Sequence, residues 1–257
     1  MAERRDAPFF IGFAGIPPGL RLPLLLVAAA IIGFFAGMAM VSGFAQDDPG
    51  ASNFGVGGRQ TVTGVLDRSL HYPILHILEG TEQLPAGRSI MISGTGKRGG
   101  LIGRQAPPDG AIVVASGALL RRGDLDMVQL RNGGNGLSVA EGDADATAPT
   151  PEDLGTWRLA GEICDGKCLA GAMRPGTGLS HRACAELCLV GDVPPVFVSS
   201  APILGETFLM IVGPGGSALP DALYDHIAVF VSIEGQVTRH GDLLVFEVDP
   251  ETVERVQ

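Results

Sequence analysis

A nine-residue stretch occurs twice in this chain and dictates that the second half is built like the first. Gly117-Ala118-Leu119-Leu120-Arg121-Arg122-Gly123-Asp124-Leu125 returns as Gly235-Gln236-Val237-Thr238-Arg239-His240-Gly241-Asp242-Leu243. Each copy reads as a strand, a tight Gly-Asp turn and a returning strand, Asp126 to Leu130 in the first and Leu244 to Val248 in the second. That is the pattern of a β-hairpin. The openings match too: Thr61-Val62-Thr63-Gly64-Val65-Leu66-Asp67 aligns with Arg158-Leu159-Ala160-Gly161-Glu162-Ile163-Cys164, and Pro73-Ile74-Leu75 with Pro195-Val196-Phe197. The third strands are Ser89 to Gly94 and Thr207 to Gly213, and Pro220 to Asp225 is expected to form a helical turn.

Five strands, a glycine in the first and a loop or short helix before a closing hairpin are the signs of an OB-like barrel. Period-2 patterning alone also fits another small β-barrel or sandwich. The expected fold class is all-β: one N-terminal transmembrane helix followed by two tandem OB-like barrels, the second with a Cys-rich helical insertion. The boundaries are a cytoplasmic leader over 1–21, the helix over 22–44 and a linker over 45–58. The first barrel covers 59–135, a polar Pro/Ala-rich linker 136–156, and the second barrel 157–257 with its insertion at 164–190.

From Leu22 to Phe44 no side chain is charged, and about 20 apolar residues in a helix cross a bilayer core. Arg4, Arg5 and Arg21 precede it and Asp47 and Asp48 follow. By the positive-inside rule the N-terminus is cytoplasmic and the rest lies outside. A cleaved signal peptide is the rival, with Gly43 and Ala45 as small residues, but its apolar core is usually about 7–15 residues long. The expected location is the bacterial inner membrane, single pass, with periplasmic C-terminal domains. The apolar leader Pro8 to Phe13 reads as an interfacial or an unstructured segment.

The two copies differ in one place. Gly64 to Pro73 is a step of nine residues and Gly161 to Pro195 a step of 34, so the second copy gains 25 residues between its first two strands. Those residues hold all four cysteines, Cys164, Cys168, Cys184 and Cys188, and His181. Ser180 to Leu189 has helical composition with Ser180 as expected N-cap. On a helix His181, Cys184 and Cys188 share a face. Cys168 and Met173, across the turn Pro175 to Gly178, are placed to complete a site, with Asp165 and Arg182 beside it.

Three readings of this loop stand together. Cysteines outside the cytoplasm form disulfides, here with three pairings open. Thiolate, thioether and imidazole ligands suit copper(I), or zinc where thiolates dominate. A helix N-terminus with Arg182 nearby lowers a thiol pKa, which serves redox chemistry.

Gly161-Glu162-Ile163-Cys164-Asp165-Gly166-Lys167-Cys168, then Met173, Pro175-Gly176, His181 to Cys188 and Pro194-Pro195, is similar to a group of exported bacterial OB-like proteins. Their shared pattern resembles D-x-x-C followed by H-x-x-C-x-x-x-C. Asp165, Cys168, His181, Cys184 and Cys188 match it, and Cys164 is additional. The resemblance covers residues 158–250 and implies architecture and location, not a reaction.

Other motifs fail in context. Gly94-Thr95-Gly96-Lys97-Arg98-Gly99 fits G-x-G-x-x-G by letter, but no helix opens after it, so it reads as a plain turn. His71, His76, His226 and His240 read as surface or strand histidines. No nucleophile elbow, metalloprotease helix or Ser/His/Asp grouping is visible. The formal charge of −10 argues against a nucleic-acid partner. The expected function is a membrane-anchored periplasmic accessory or assembly protein, non-catalytic, partnered by the bilayer and another envelope protein or membrane complex. Its loop is expected to be disulfide-stabilised and to bind copper or zinc. The alternative is a thiol redox or metal-delivery factor for a membrane-bound oxidoreductase.

Overall fold

The computed structural model describes residues 16, 18–44, 50–102, 106–140 and 146–256. The leader segment 8–13 and the acidic run 141–145 lie outside them. The chain divides into two compact units, 1–48 and 49–257.

In the first unit, α1 (Pro18–Phe44) runs 27 residues and starts four residues before the expected span. Its stretch Gly19–Val41 has a mean hydropathy of 2.6, and every described side chain there is exposed. At 1.5 Å per residue those 23 residues measure about 35 Å, against about 30 Å for a bilayer core. The helix is long and apolar enough to span a membrane.

The second unit is β-rich. Its first part contains β1 (Asn53–Asp67), β2 (Ile74–Glu79), β3 (Ser89–Ser93), β4 (Ile112–Arg122), β5 (Leu125–Leu130) and β6 (Leu137–Val139). Strands one to five close into a ring in the order β1-β2-β3-β5-β4, with β4 pairing back onto β1 and β3–β5 as the parallel pair. Beyond β6 come β7 (Glu152–Asp165), α2 (Arg182–Val190), β8 (Pro195–Ile203), β9 (Glu206–Val212), β10 (Phe230–His240), β11 (Leu243–Val248) and β12 (Glu254–Arg255). Here the ring order is β7-β8-β9-β11-β10, closed by β10 on β7, and β9–β11 is parallel.

The registers agree as well. Gly64 faces Val113 and Ile77, and Gly161 faces Val231 and Ser199. Met91 pairs with Met127, and Met210 with Val245. Both hairpin turns carry a glycine at positive φ, 56° at Gly123 and 66° at Gly241, as their Gly-Asp signature requires. The expected turn after Pro220 is a 3-10 helix, Asp221–His226.

Two expected linkers are partly strand. β1 begins at Asn53 and pairs with Arg121 at the far end of β4, while β6 adds to the β4 edge and β7 starts at Glu152. The two rings also form one body rather than separate beads, because their strands are apolar on both faces. Ile90 and Ile92 point into the first ring with Leu75 and Val128. Leu209 and Ile211 point into the second with Phe197 and Phe246. The alternate residues Ile74, Met91 and Met127 meet Val196, Met210 and Val245 in a third cluster between the rings. These are the same positions in each copy, so the joint is a quasi-twofold, isologous one within a single chain.

The repeated Gly-Asp turns clasp this joint reciprocally. Asp242 Oδ1 accepts from the Ser89 amide at 2.6 Å, and Asp124 Oδ2 accepts from the Thr207 amide, one position earlier in the matching strand, at 3.2 Å. Burying an apolar side chain is worth about 1.5–3 kcal/mol, and a hydrogen bond to a charged group about as much. With many apolar groups and two carboxylates, burial supplies the stability and the aspartates set the alignment.

A buried polar node lies beside the clasp. Asp67 Oδ2 is 3.4 Å from His76 Nε2 and 3.7 Å from His240 Nδ1, and His76 Nδ1 is 2.8 Å from Ser89 Oγ. His76 and His240 are thus strand histidines buried across the joint. Ser89, His76 and Asp67 do form a Ser/His/Asp grouping, but Gly241 packs over the Ser89 hydroxyl and all three are buried, so the group is structural. Burial alone would raise the Asp67 pKa; the neighbouring His240 imidazole and hydrogen bonds from His76 and Ser69 outweigh it and hold the carboxyl well below the usual range.

The clasp is unequal at its ends. Arg88 Nη1 donates to Asp242 Oδ2 at 2.6 Å, whereas at the other turn Asp124 is met by Glu206. The hydrogen bond with Asp124, then burial, push the Glu206 carboxyl up to about 7. In the unfolded chain it titrates near about 4.3. Between those values the folded state binds the extra proton, so this residue makes stability fall as pH rises towards 7. Denaturant unfolding of the full chain in detergent is expected to show Glu206→Gln more stable than wild type above pH 7, with the difference vanishing near pH 4.

Candidate metal and thiol centre

The insertion leaves β7 at Asp165 and passes through a π-helical turn, Cys168–Ala172, and a loop before entering α2. Asp165 joins the two thiol-bearing segments. Its Oδ1 accepts from the Cys168 amide at 2.8 Å and its Oδ2 lies 2.8 Å from His181 Nε2, with both side chains fully buried. His181 occupies the N-cap position of α2 and no side chain caps that end, so Ser180 does not take the expected role. Glu162 braces the loop from the other side, accepting from the Gly178 amide at 2.6 Å.

Three thiols converge as a result. Cys168 Sγ is 3.9 Å from Cys184 Sγ and 4.0 Å from Cys188 Sγ, and all three sulfurs lie within 4.8 Å of one another. The expected disulfides are not formed: all four cysteines are free thiols. The i, i+4 spacing aims Cys184 and Cys188 at the same point, and Asp165 brings Cys168 to meet them. His181 turns instead to Asp165, forming a second group with Asp165 and Cys168. Its Nδ1 is buried without a hydrogen-bond partner among the described residues.

The other expected site residues lie apart. Cys164 is buried in the joint between the rings, donating to Glu162 Oε1 at 3.0 Å, and burial raises its pKa well above the ordinary thiol value. Met173 is 44% exposed, outside the cluster. Arg182 pairs with Glu186 along α2 at 2.7 Å rather than with a thiol.

The cation at the thiols comes from the turn that reads as plain in the sequence. Lys97 Nζ donates to Cys184 Sγ at 2.8 Å, to Cys188 Sγ at 3.5 Å and to the Cys184 carbonyl at 3.1 Å. Lys167, buried in the insertion, donates to the carbonyls of Gly94 and Gly96 at 2.7 and 2.6 Å and so holds that turn in place. Gly99 donates to the Gly191 carbonyl at 2.8 Å, and Gly191 itself has no room for a side chain: a Cβ would stand 1.8 Å from the Lys97 carbonyl oxygen. His71 closes the edge with Asp192 at 2.5 Å.

These contacts set the charges. Desolvation lowers the Lys167 pKa. Burial works against the Lys97 charge, but its hydrogen bond to Cys184 and the nearby sulfurs leave its pKa raised. The hydrogen bond with Cys188, then burial, raise the Cys168 thiol, and the same bond lowers Cys188 to about 7 against the cost of burial. Cys168 keeps its proton and Cys188 is the readier thiolate.

Sequence reasoning missed Lys97 and Lys167. Lys167 stood inside the D-G-K-C run, and Lys97 carried no signal, since its role depends on how the rings dock. No family model, curated protein or solved structure matches the chain.

Labelling with a thiol reagent without prior reduction is expected to modify four cysteines in the denatured chain. In the folded chain Cys184, the one thiol that is not buried, is modified first and Cys164 last, as mass spectrometry of the labelled peptides would show. Asp165→Ala strands a buried imidazole and frees the Cys168 turn. A loss of about 1–3 kcal/mol is expected, measured by denaturant unfolding, with faster labelling of Cys168.

Proposed function

We propose that this is a membrane-anchored accessory or assembly protein of the bacterial envelope that holds a soft metal ion, copper or zinc, at Cys168, Cys184 and Cys188. The observation that carries the reading is the sulfur triangle: with sides of 3.9 and 4.0 Å and a third within 4.8 Å, its corners stand about 2.3–2.5 Å from the centre, close to the metal–thiolate bond length of about 2.3 Å. A disulfide would need about 2.05 Å. The donor set fits, being all sulfur, which selects soft cations; binding would release the Cys168 proton. Bound there, the ion would link the π-helical turn to α2. Asp165 and Lys167 align those segments, and the partly exposed Cys184 is the point of exchange.

We read both rings as OB-like barrels, from the strand order 1-2-3-5-4 and the parallel third and fifth strands. The resemblance of Asp165, Cys168, His181, Cys184 and Cys188 to the D-x-x-C and H-x-x-C-x-x-x-C pattern supports grouping the protein with exported bacterial OB-like proteins. The arginines before α1 and aspartates after it support a cytoplasmic N-terminus and periplasmic rings. The partner is another envelope protein or membrane complex, and the acidic charge disfavours nucleic acid. The runner-up is a thiol redox or metal-delivery factor for a membrane-bound oxidoreductase, favoured by one observation: Cys188 is brought to about 7 with Lys97 against it.

Elemental analysis of the full chain, purified in detergent without chelator, tests the reading. Close to one equivalent of copper or zinc is expected in wild type and in Cys164→Ser, falling below about a tenth in Cys184→Ser and Cys188→Ser. Metal-free wild type that cannot be loaded would sink it.

A further inference from the structure

We propose that the thiol triangle is a three-coordinate copper(I) site whose counter-charge is delivered by the first ring, through Lys97, with Lys167 as the positioning residue. It rests on the metal reading above and narrows it from soft metals to one oxidation state and coordination number.

The first argument is ligand count. Among the described residues, no imidazole or carboxylate joins Cys168, Cys184 and Cys188 within 4.8 Å of all three. His181 is held off by Asp165 at 2.8 Å, and Met173 is turned to solvent. A structural zinc site closes with four protein ligands. The side of the triangle next to Cys184 holds the Lys97 ammonium, which has three donor protons and no lone pair, so it cannot ligate while charged. Copper(I) is satisfied by three thiolates; zinc is left one ligand short.

The second argument is charge. Three thiolates around copper(I) carry a net double negative charge; around zinc(II) the net is a single one. Lys97 contacts two of the sulfurs directly, and Lys167 is buried one residue before Cys168. The Lys97 ammonium, in direct contact with two sulfurs, offsets the more negative copper(I) assembly more than the zinc one and so favours the monovalent ion.

The third is where Lys97 comes from. It reaches the thiols only because the two rings are docked, with Lys167 gripping the carbonyls of Gly94 and Gly96 and Gly191 giving the turn space. The metal site is therefore completed by the ring that carries no cysteine.

The test uses the full chain in detergent, reduced and metal-free, titrated with copper(I) against bathocuproine disulfonate and separately with zinc(II) against a chromophoric zinc chelator. One copper(I) per chain is expected, with X-ray absorption showing three sulfurs at about 2.3 Å. Zinc should bind more weakly and be displaced by an equivalent of copper(I). Lys97→Met is expected to weaken copper(I) binding about tenfold, less than an interior pair would, because Lys97 is solvent-screened, and to leave zinc binding unchanged or tighter. Lys97→Arg keeps the charge and should recover most of the loss. Circular dichroism of the variants confirms that each is folded. Zinc held as tightly as copper(I), a four-coordinate copper site, or an unaltered copper-to-zinc preference in Lys97→Met would overturn this inference and leave the metal reading standing. A wild-type chain that binds neither ion would overturn both.

Discussion

Asp242 receives an amide from the first ring and Asp124 receives one from the second, above an apolar layer built from the same positions of both. Every other feature of the globular unit follows from that exchange. Burial of Ile74, Met91, Met127, Val196, Met210 and Val245 would stabilise many slightly shifted dockings, because apolar contact has no direction. Two carboxylates that each require one particular amide remove that freedom. Arg88 and Arg121, both paired with Asp126, add a charge network at the same edge.

Because the docking is quasi-twofold, it brings each ring's loop after the third strand against the other ring's loop after the first. At one end, Gly216 meets the short loop of the first ring and accepts from His71. At the other, the turn Gly94 to Gly99 meets the long insertion, and there Lys97 touches sulfur. One geometric rule applied twice gives a plain contact and a chemically equipped one. The difference is the inserted segment alone.

Much of this was legible from the residues. The repeated Gly-Asp hairpins, the glycines Gly64 and Gly161 and the helical turn after Pro220 are all local signals, and the strand registers follow them. The i, i+4 pair Cys184 and Cys188 was equally plain, as helical spacing is a property of the chain itself. What was hidden depends on contacts far apart in sequence. Phe208-Leu209-Met210-Ile211-Val212 is apolar at every position, the composition of a strand buried on both faces, but that run does not say which surface covers the second face. His181 was read onto the thiols by its spacing, yet Asp165, sixteen residues earlier, claims it first. Lys97 lies 87 residues from Cys184 in a turn whose letters describe only a bend.

The joint between the rings also bears on copy number. Were the two halves separate identical subunits, any segment added to one would appear in both, and a symmetric pair would carry two thiol centres. Joined in one chain, each half has its partner at a high effective concentration whatever happens to its own loops. One half is then free to carry the cysteines while the other contributes only a lysine and a surface, giving a single centre per molecule that is unlike on its two sides.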